Sequence, residues 1–335
     1  MKPAAFDSAS DPFGERTDCS LRTRAKVLGG VFEFETNDLS LLQLVDSVYE
    51  GLPAHTFSIE APHFRIRLVL SNDAGPAVGD EAPPVRLQSG PGILCGTMDA
   101  ANFAVVSPAQ RTGLIAVSRN MLRHAQIVRY ELIEFAVYTL ASRAQQLASL
   151  HAACVGRNQQ GLLFIGDGGA GKSTLTLHCL IQDMELVAED AVFVASDTLL
   201  ASGVGTFLHV RADSLEFLRQ SGDDEWIRTS PVIRRRSGVE KFAIDLRRSR
   251  YHIARTPVRI AGVIFLSAQR ASERALLTPL HESELVERLE ASQPYAANQP
   301  VWATFLRHIS GVRAFELRRG EHPREAVEAL RRIIE

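Results

Sequence analysis

Apolar positions change period repeatedly along this chain, and each change marks an element. Residues 28–35 read as a strand. Asn37, Asp38 and Ser40 then offer helix-capping oxygens, and Leu41, Leu42, Leu44, Val45 and Val48 follow at helical spacing until Gly51-Leu52-Pro53 stops the run. Over residues 63–71, Phe64, Ile66, Leu68 and Leu70 recur at every second position, which predicts a half-buried strand. The stretch 72–92 is rich in Gly, Pro and Asp and predicts a long surface loop. Short strands are expected at 92–98, 102–107 and 113–117. A long amphipathic helix is expected from about 122 to 150, with Ile127, Leu132, Phe135, Ala136 and Leu140 on one face.

The second half alternates differently. Strands are expected at 150–155 and 161–165 around a turn at 156–160. A glycine-rich stretch and a helix over 172–182 come next, then strands at 185–188, 191–195, 207–211 and 258–267, and a last helix over 323–334. This succession predicts an α/β protein. Residues 1–20 would be a tail, 21–148 a mixed α+β N-terminal accessory domain, and 149–335 a domain built around the glycine-rich stretch.

Composition narrows the partners. The 335 residues carry a net charge of −2 with 45% apolar residues, so a sizeable core is available and nucleic acid is not indicated. Cys19, Cys95, Cys154 and Cys179 form no C-x-x-C pair and match no zinc spacing; they read as reduced thiols. Residues 1–20 are polar and contain no apolar run, and no later run is long enough to cross a bilayer. A cytoplasmic protein without a membrane partner is the expectation. Only four of the 37 basic residues are lysines: Lys2, Lys26, Lys172 and Lys241. In a chain that otherwise uses arginine, a retained lysine suggests a place for a compact ammonium.

Gly166-Asp167-Gly168-Gly169-Ala170-Gly171-Lys172-Ser173 fits G-x-x-x-x-G-K-[ST] at every fixed position. It comes after the apolar run Leu162–Ile165 and precedes a helical pattern (Leu175, Leu177, Leu180 and Ile181), which is the context such a loop requires; Gly166 to Thr174 are the expected nucleotide-binding residues. Glycines let backbone N–H groups curl around an anion, and the helix N-terminus faces the phosphates. On this reading Lys172 reaches the outer phosphates of ATP and the Ser173 hydroxyl meets Mg²⁺. The guanine-selective N-K-x-D and the L-S-G-G-Q signature of transport ATPases are both missing from the sequence.

Leu150-His151, the loop starting fifteen residues after that histidine, and Leu186-Val187-Ala188-Glu189-Asp190-Ala191-Val192 together resemble the catalytic half of HPr kinase/phosphorylase. The resemblance covers about residues 148–212 and implies a P-loop domain of the HPr kinase/PEP carboxykinase-like fold. It implies Asp190 as the base that takes the acceptor hydroxyl's proton, His151 as its partner, and Glu189 as a further acid for metal or substrate. It departs from the family at Glu189, where an aspartate is usual, and at His209 and Ala212, where the family carries an acid and a glycine. The N-terminal half resembles the accessory domain of HPr-kinase-related proteins, some of which act on ribosomal natural-product precursor peptides. A homo-oligomer is also in keeping with the resemblance.

Residues 228–259 hold ten basic side chains against Glu240 and Asp245. A phosphate-clamping lid carrying Lys241, a docking surface for an acidic peptide, and a solvated basic face are all compatible with that run. The chain is thus expected to be an ATP- and Mg²⁺-dependent kinase acting on a hydroxyl, a serine of a protein or peptide. A small-molecule kinase on the same scaffold and a non-catalytic nucleotide sensor are the alternatives.

Overall fold

The computed structural model describes residues 17–58, 60–71, 74–76, 78–79, 81–218, 222–271 and 275–335. The expected tail therefore lies outside the described residues except for 17–20. The chain is mixed α/β and divides into two compact units. One holds the described residues up to Arg24 with Glu33–Ser47 and Arg65–Ala136. The other holds Ala25–Phe32, Val48–Phe64 and Val137–Glu335.

The N-terminal strands make one seven-stranded sheet: β1 (Leu21–Val27), β2 (Gly30–Thr36), β3 (His63–Leu70), β4 (Arg86–Gly90), β5 (Ile93–Thr97), β6 (Phe103–Ser107) and β7 (Thr112–Val117), in the order β1-β2-β3-β7-β6-β5-β4. Helix α1 (Leu39–Tyr49) links β2 to β3. In β3 the alternation is as expected: Phe64, Ile66, Leu68 and Leu70 are buried while Arg65 and Arg67 are exposed.

Three expectations change here. The strand over 28–35 is the second arm of a hairpin, because Leu28 (φ 49) and Gly29 (φ 79) turn the chain between β1 and β2. The loop over 72–92 contains β4, whose five residues are all exposed and so left no apolar period to read. The long helix is broken. Met121–His124 is a 3₁₀ turn, α2 (Ala125–Ile127) is one short turn, Val128–Ile133 is a π-helical stretch, and α3 (Glu134–Gln145) ends at Gln146 with φ 53. The next element is β8 (Leu147–His151), a short apolar run whose period alone fits helix or strand equally.

The remaining elements belong to the second unit. They are β9 (Ala153–Arg157), β10 (Gln160–Ile165), α4 (Lys172–Ile181), β11 (Glu185–Ala188), β12 (Ala191–Ala195), β13 (Leu200–Ser202), β14 (Phe207–Val210), α5 (Asp223–Arg228), β15 (Val232–Arg234), β16 (Glu240–Asp245), β17 (His252–Ile253), β18 (Val258–Arg270), β19 (Leu277–Leu280), α6 (Glu282–Ser292), α7 (Pro294–Ala297), α8 (Trp302–Ile309), β20 (Arg313–Arg319) and α9 (Pro323–Ile334). The large sheet runs β17-β11-β9-β10-β18-β13-β12-β8, with β20 joining β18 and β19. Strands β10, β18 and β20 are mutually parallel, so their carboxyl ends emerge on the same side.

Both faces of this sheet are covered, which is why β10 is apolar without interruption. Leu162 and Phe164 pack with Leu175 and Cys179 of α4 and Val327 and Leu330 of α9. Leu163 and Ile165 face the other way, towards Leu285, Leu289, Trp302 and Phe305 of α6 and α8. A separate three-stranded sheet, β14-β16-β15, packs on α4 through Leu177, Leu180, Leu208, Val210 and Ile244.

The stretch Val48–Phe64 also belongs to this second unit. The His55 ring is buried, with Nε2 donating to Ala254 O at 2.9 Å and Nδ1 accepting from the Ser202 hydroxyl at 2.7 Å. Thr206 Oγ1 donates to Val48 O at 3.3 Å, and Arg247 Nη1 donates to Glu50 O at 2.8 Å. Among the described residues no helix is long and apolar enough to cross a membrane.

Candidate functional site

Residues 166–173 run from the carboxyl end of β10 into α4. Gly169 (φ 84) and Gly171 (φ 104) adopt the left-handed backbone that a side chain would resist, and Gly171 caps α4. At Gly168, Gly169 and Gly171 a Cβ would meet nothing within 4 Å, so these glycines border open space. Lys172 is buried and its ammonium turns back onto the loop, donating to Gly166 O and, at 3.4 Å, to Asp167 O. Burial depresses its pKa below the usual lysine value, against the pull of Asp190, and the neighbouring Lys241 charge adds to the depression. A further anion at this place would restore it.

Glu189 and Asp190 occupy the turn between β11 and β12 and point to different partners. Glu189 is buried. Its Oε1 accepts from the Ser173 hydroxyl at 2.8 Å, and Lys241 Nζ stands 3.9 Å from the same oxygen. Its Oε2 accepts from His209 Nδ1 at 2.6 Å and from the His209 amide at 3.2 Å. Burial by itself would raise this carboxyl's pKa. The His209 ring charge and its hydrogen bond, with Lys241 and Ser173, outweigh that effect and hold the pKa at about 2. Glu189 is therefore a fixed anion linked directly to the first turn of α4.

Asp190 is half exposed. His151 Nδ1 lies 3.4 Å from its Oδ1, and Arg235 Nη2 lies 3.6 Å from its Oδ2. The antiparallel ladder between β8 and β12 sets this pair, because His151 is in register with Ala191. Gln293, buried between α6 and α7, holds the backbone of His151 from both sides. Its Oε1 accepts from the His151 amide at 2.7 Å and its Nε2 donates to the His151 carbonyl at 3.2 Å.

The small sheet brings the cations. His209 comes from β14, Lys241 from β16, and Arg235 from the turn after β15, where Arg235 N donates to Val239 O. Two members of the arginine-rich run are thus set against the two acids. At the acids themselves the backbone passes very close to Gly203: a Cβ there would stand 2.3 Å from Ala188 Cβ and 3.0 Å from Ala191 O.

The residues present fit a nucleoside triphosphate and a divalent cation. The loop offers amides and an ammonium to phosphate, and Ser173 Oγ and Glu189 Oε1 are hydrogen-bonded neighbours whose oxygens suit Mg²⁺. Among the described residues no group of three or more His, Cys, Asp or Glu is placed to hold a metal by itself. Ser173 and Glu189 are the residues that would hold such a metal, together with phosphate oxygens.

The structure gathers His151, Lys172, Ser173, Glu189, Asp190 and Lys241 around one loop. Thr174 turns aside, its hydroxyl 2.7 Å from Ser214 Oγ, so that side chain is committed within the protein. Sequence reasoning missed Gln293, for which no local signal exists. It also missed Arg319, the last residue of β20, whose Nη2 donates to Gly169 O at 3.2 Å. The signal for Arg319 was its position just after the apolar positions Ala314, Phe315 and Leu317 and before the Pro323 helix start.

No family model and no curated protein matches this chain. Among solved structures, the Hpr(Ser) kinase/phosphatase from Coxiella burnetii is similar over 55% of this chain and 93% of its own length, at 12% identity and a TM-score of 0.28. A likeness of that size carries no argument about activity, so the site's own geometry has to carry the functional reading.

Proposed function

We propose that this protein is an ATP- and Mg²⁺-dependent kinase of P-loop type that transfers the γ-phosphate to a hydroxyl, a serine of a protein or peptide. The observation that carries the reading is the joining of loop and acid: Ser173, first turn of the phosphate loop's helix, is hydrogen-bonded to Glu189, and Asp190 is next in the chain with His151 beside it. A site that only bound phosphate would have no need of a second, half-exposed carboxylate held by a histidine.

Each residue has a role. The amides of 166–173 and the Lys172 ammonium hold the phosphates, and Ser173 and Glu189 hold the metal, which supplies charge neutralisation when bound. Asp190 accepts the acceptor's proton. His151 aims Asp190, and Gln293 keeps His151 in place. Lys241 balances the buried Glu189, which leaves Asp190 as the exposed acid able to meet an incoming hydroxyl.

One observation favours a second reading. Glu189 already has His209 on one oxygen and Ser173 on the other. A nucleotide-sensing regulator, in which bound nucleotide rearranges these contacts without phosphoryl transfer, would use the same pair. Purified protein with γ-labelled ATP, Mg²⁺ and pooled Ser, Thr and Tyr peptides separates the readings, with Lys172→Ala as control. Label on a serine peptide that disappears in the control supports the kinase. ATP binding without label on peptides or on free serine and sugars moves the assignment to the sensor.

A further inference from the structure

We propose that Arg319 is the side chain by which this site recognises the terminal phosphate of a nucleoside triphosphate; the proposal rests on the reading of residues 166–173 as a phosphate loop. Arg319 is the last residue of β20. Because β10, β18 and β20 are parallel, its carboxyl end emerges on the same side of the sheet as the end of β10, where the loop begins, with β18 between the two strands. Ligands of parallel sheets gather at those ends. From there the guanidinium reaches the middle of the loop and donates one N–H to Gly169 O at 3.2 Å.

That carbonyl is its one hydrogen-bond or ion-pair partner among the described residues, so the remaining N–H groups are available. The cations nearby are committed. Lys241 stands against Glu189, Arg235 against Asp190, and Arg318, its neighbour in the chain, is paired with Glu316 on the other face of β20. Arg319 instead lies in register with another arginine, Arg270 at the end of β18, and both are exposed. Like charges opposite one another on adjacent strands repel, and an anion between them or beside them removes the penalty.

The position along the loop decides which phosphate. Lys172, the residue suited to the outer phosphates, lies on Gly166 O and Asp167 O, and Arg319 meets the loop two residues further on, at Gly169 O, still ahead of the start of α4. The opposite end, at Thr174, is closed by Ser214. A guanidinium there meets the far end of the triphosphate, and its planar fork suits two phosphate oxygens at once.

The test is binding of Mg-ATP and Mg-ADP by calorimetry to the full chain, as wild type, Arg319→Gln and Arg319→Lys. The expected result is that Arg319→Gln weakens ATP by about 10- to 100-fold while ADP changes by less than about threefold, and that Arg319→Lys recovers part of the ATP loss. A loss of equal size for both nucleotides, or no loss for either, overturns the role of Arg319 and leaves the phosphate loop standing. A wild-type chain that binds neither nucleotide overturns both.

Discussion

Glu189 Oε2 and His209 Nδ1 are 2.6 Å apart, with side chains only 6% and 5% exposed. A buried pair of this kind costs more to break on one side than it contributes intact. His209→Ala is expected to lower unfolding free energy by about 3 kcal/mol in urea titration. Adding Glu189→Gln to it should cost less than the sum of the two single changes, since the charge left behind is then gone. Strict additivity would show that the pair is not coupled.

Asp190 and His151 should separate binding from transfer. Asp190→Asn is expected to leave ATP affinity nearly unchanged and to reduce labelled phosphate transfer by about 100-fold or more. His151→Ala should give a smaller drop, because Arg235 still steadies the other carboxylate oxygen. Transfer at near-normal rate in Asp190→Asn would remove Asp190 from the chemistry.

His178, buried on α4, gives a pH dependence. Burial first, then the charges of His322 and Arg324, push its pKa from 6.5 down to about 4. Between those values the unfolded chain binds a proton that the folded chain refuses. Stability is therefore complete above about pH 6.5 and declines as pH falls towards 4. His178→Phe removes that contribution. Urea midpoints measured across this window should fall more steeply for the wild type than for the variant; parallel slopes would contradict the assignment.

Gly203→Ala places a methyl group 2.3 Å from Ala188 Cβ, just before the two acids. Overpacking at such a point costs about 1–3 kcal/mol. The expected outcome is a lower melting temperature, together with a loss of transfer larger than that of a surface alanine such as Ser237→Ala. An unchanged melting temperature would mean that the loop moves aside freely.

Much of this site could be read from sequence because its parts are local. The loop is eight consecutive residues between an apolar run and a helix, and Glu189 and Asp190 are adjacent. Strand β10 was legible for a similar reason, since burial on both faces leaves an unbroken apolar run. Elements defined by distant pairing were not legible. Strand β4 has no buried residue, β8 is too short for its period to distinguish strand from helix, and the π-helical stretch at Val128–Ile133 hides inside an amphipathic pattern. The partners of the acids were hidden too. His209, Lys241 and Arg235 reach them through the register of a sheet that sequence cannot supply.

The clasp formed by His55 bears on how this gene could be dissected. An excised product starting at residue 149 would begin at an attractive hydrophobic boundary, yet it would lack the imidazole that ties Ser202 to Ala254 and the stretch that meets Thr206 and Arg247. Such a fragment would expose unmet polar groups inside its own fold. A folded second unit is more readily obtained by keeping the chain whole, or by supplying residues 48–64 in trans so that the missing contacts can form again.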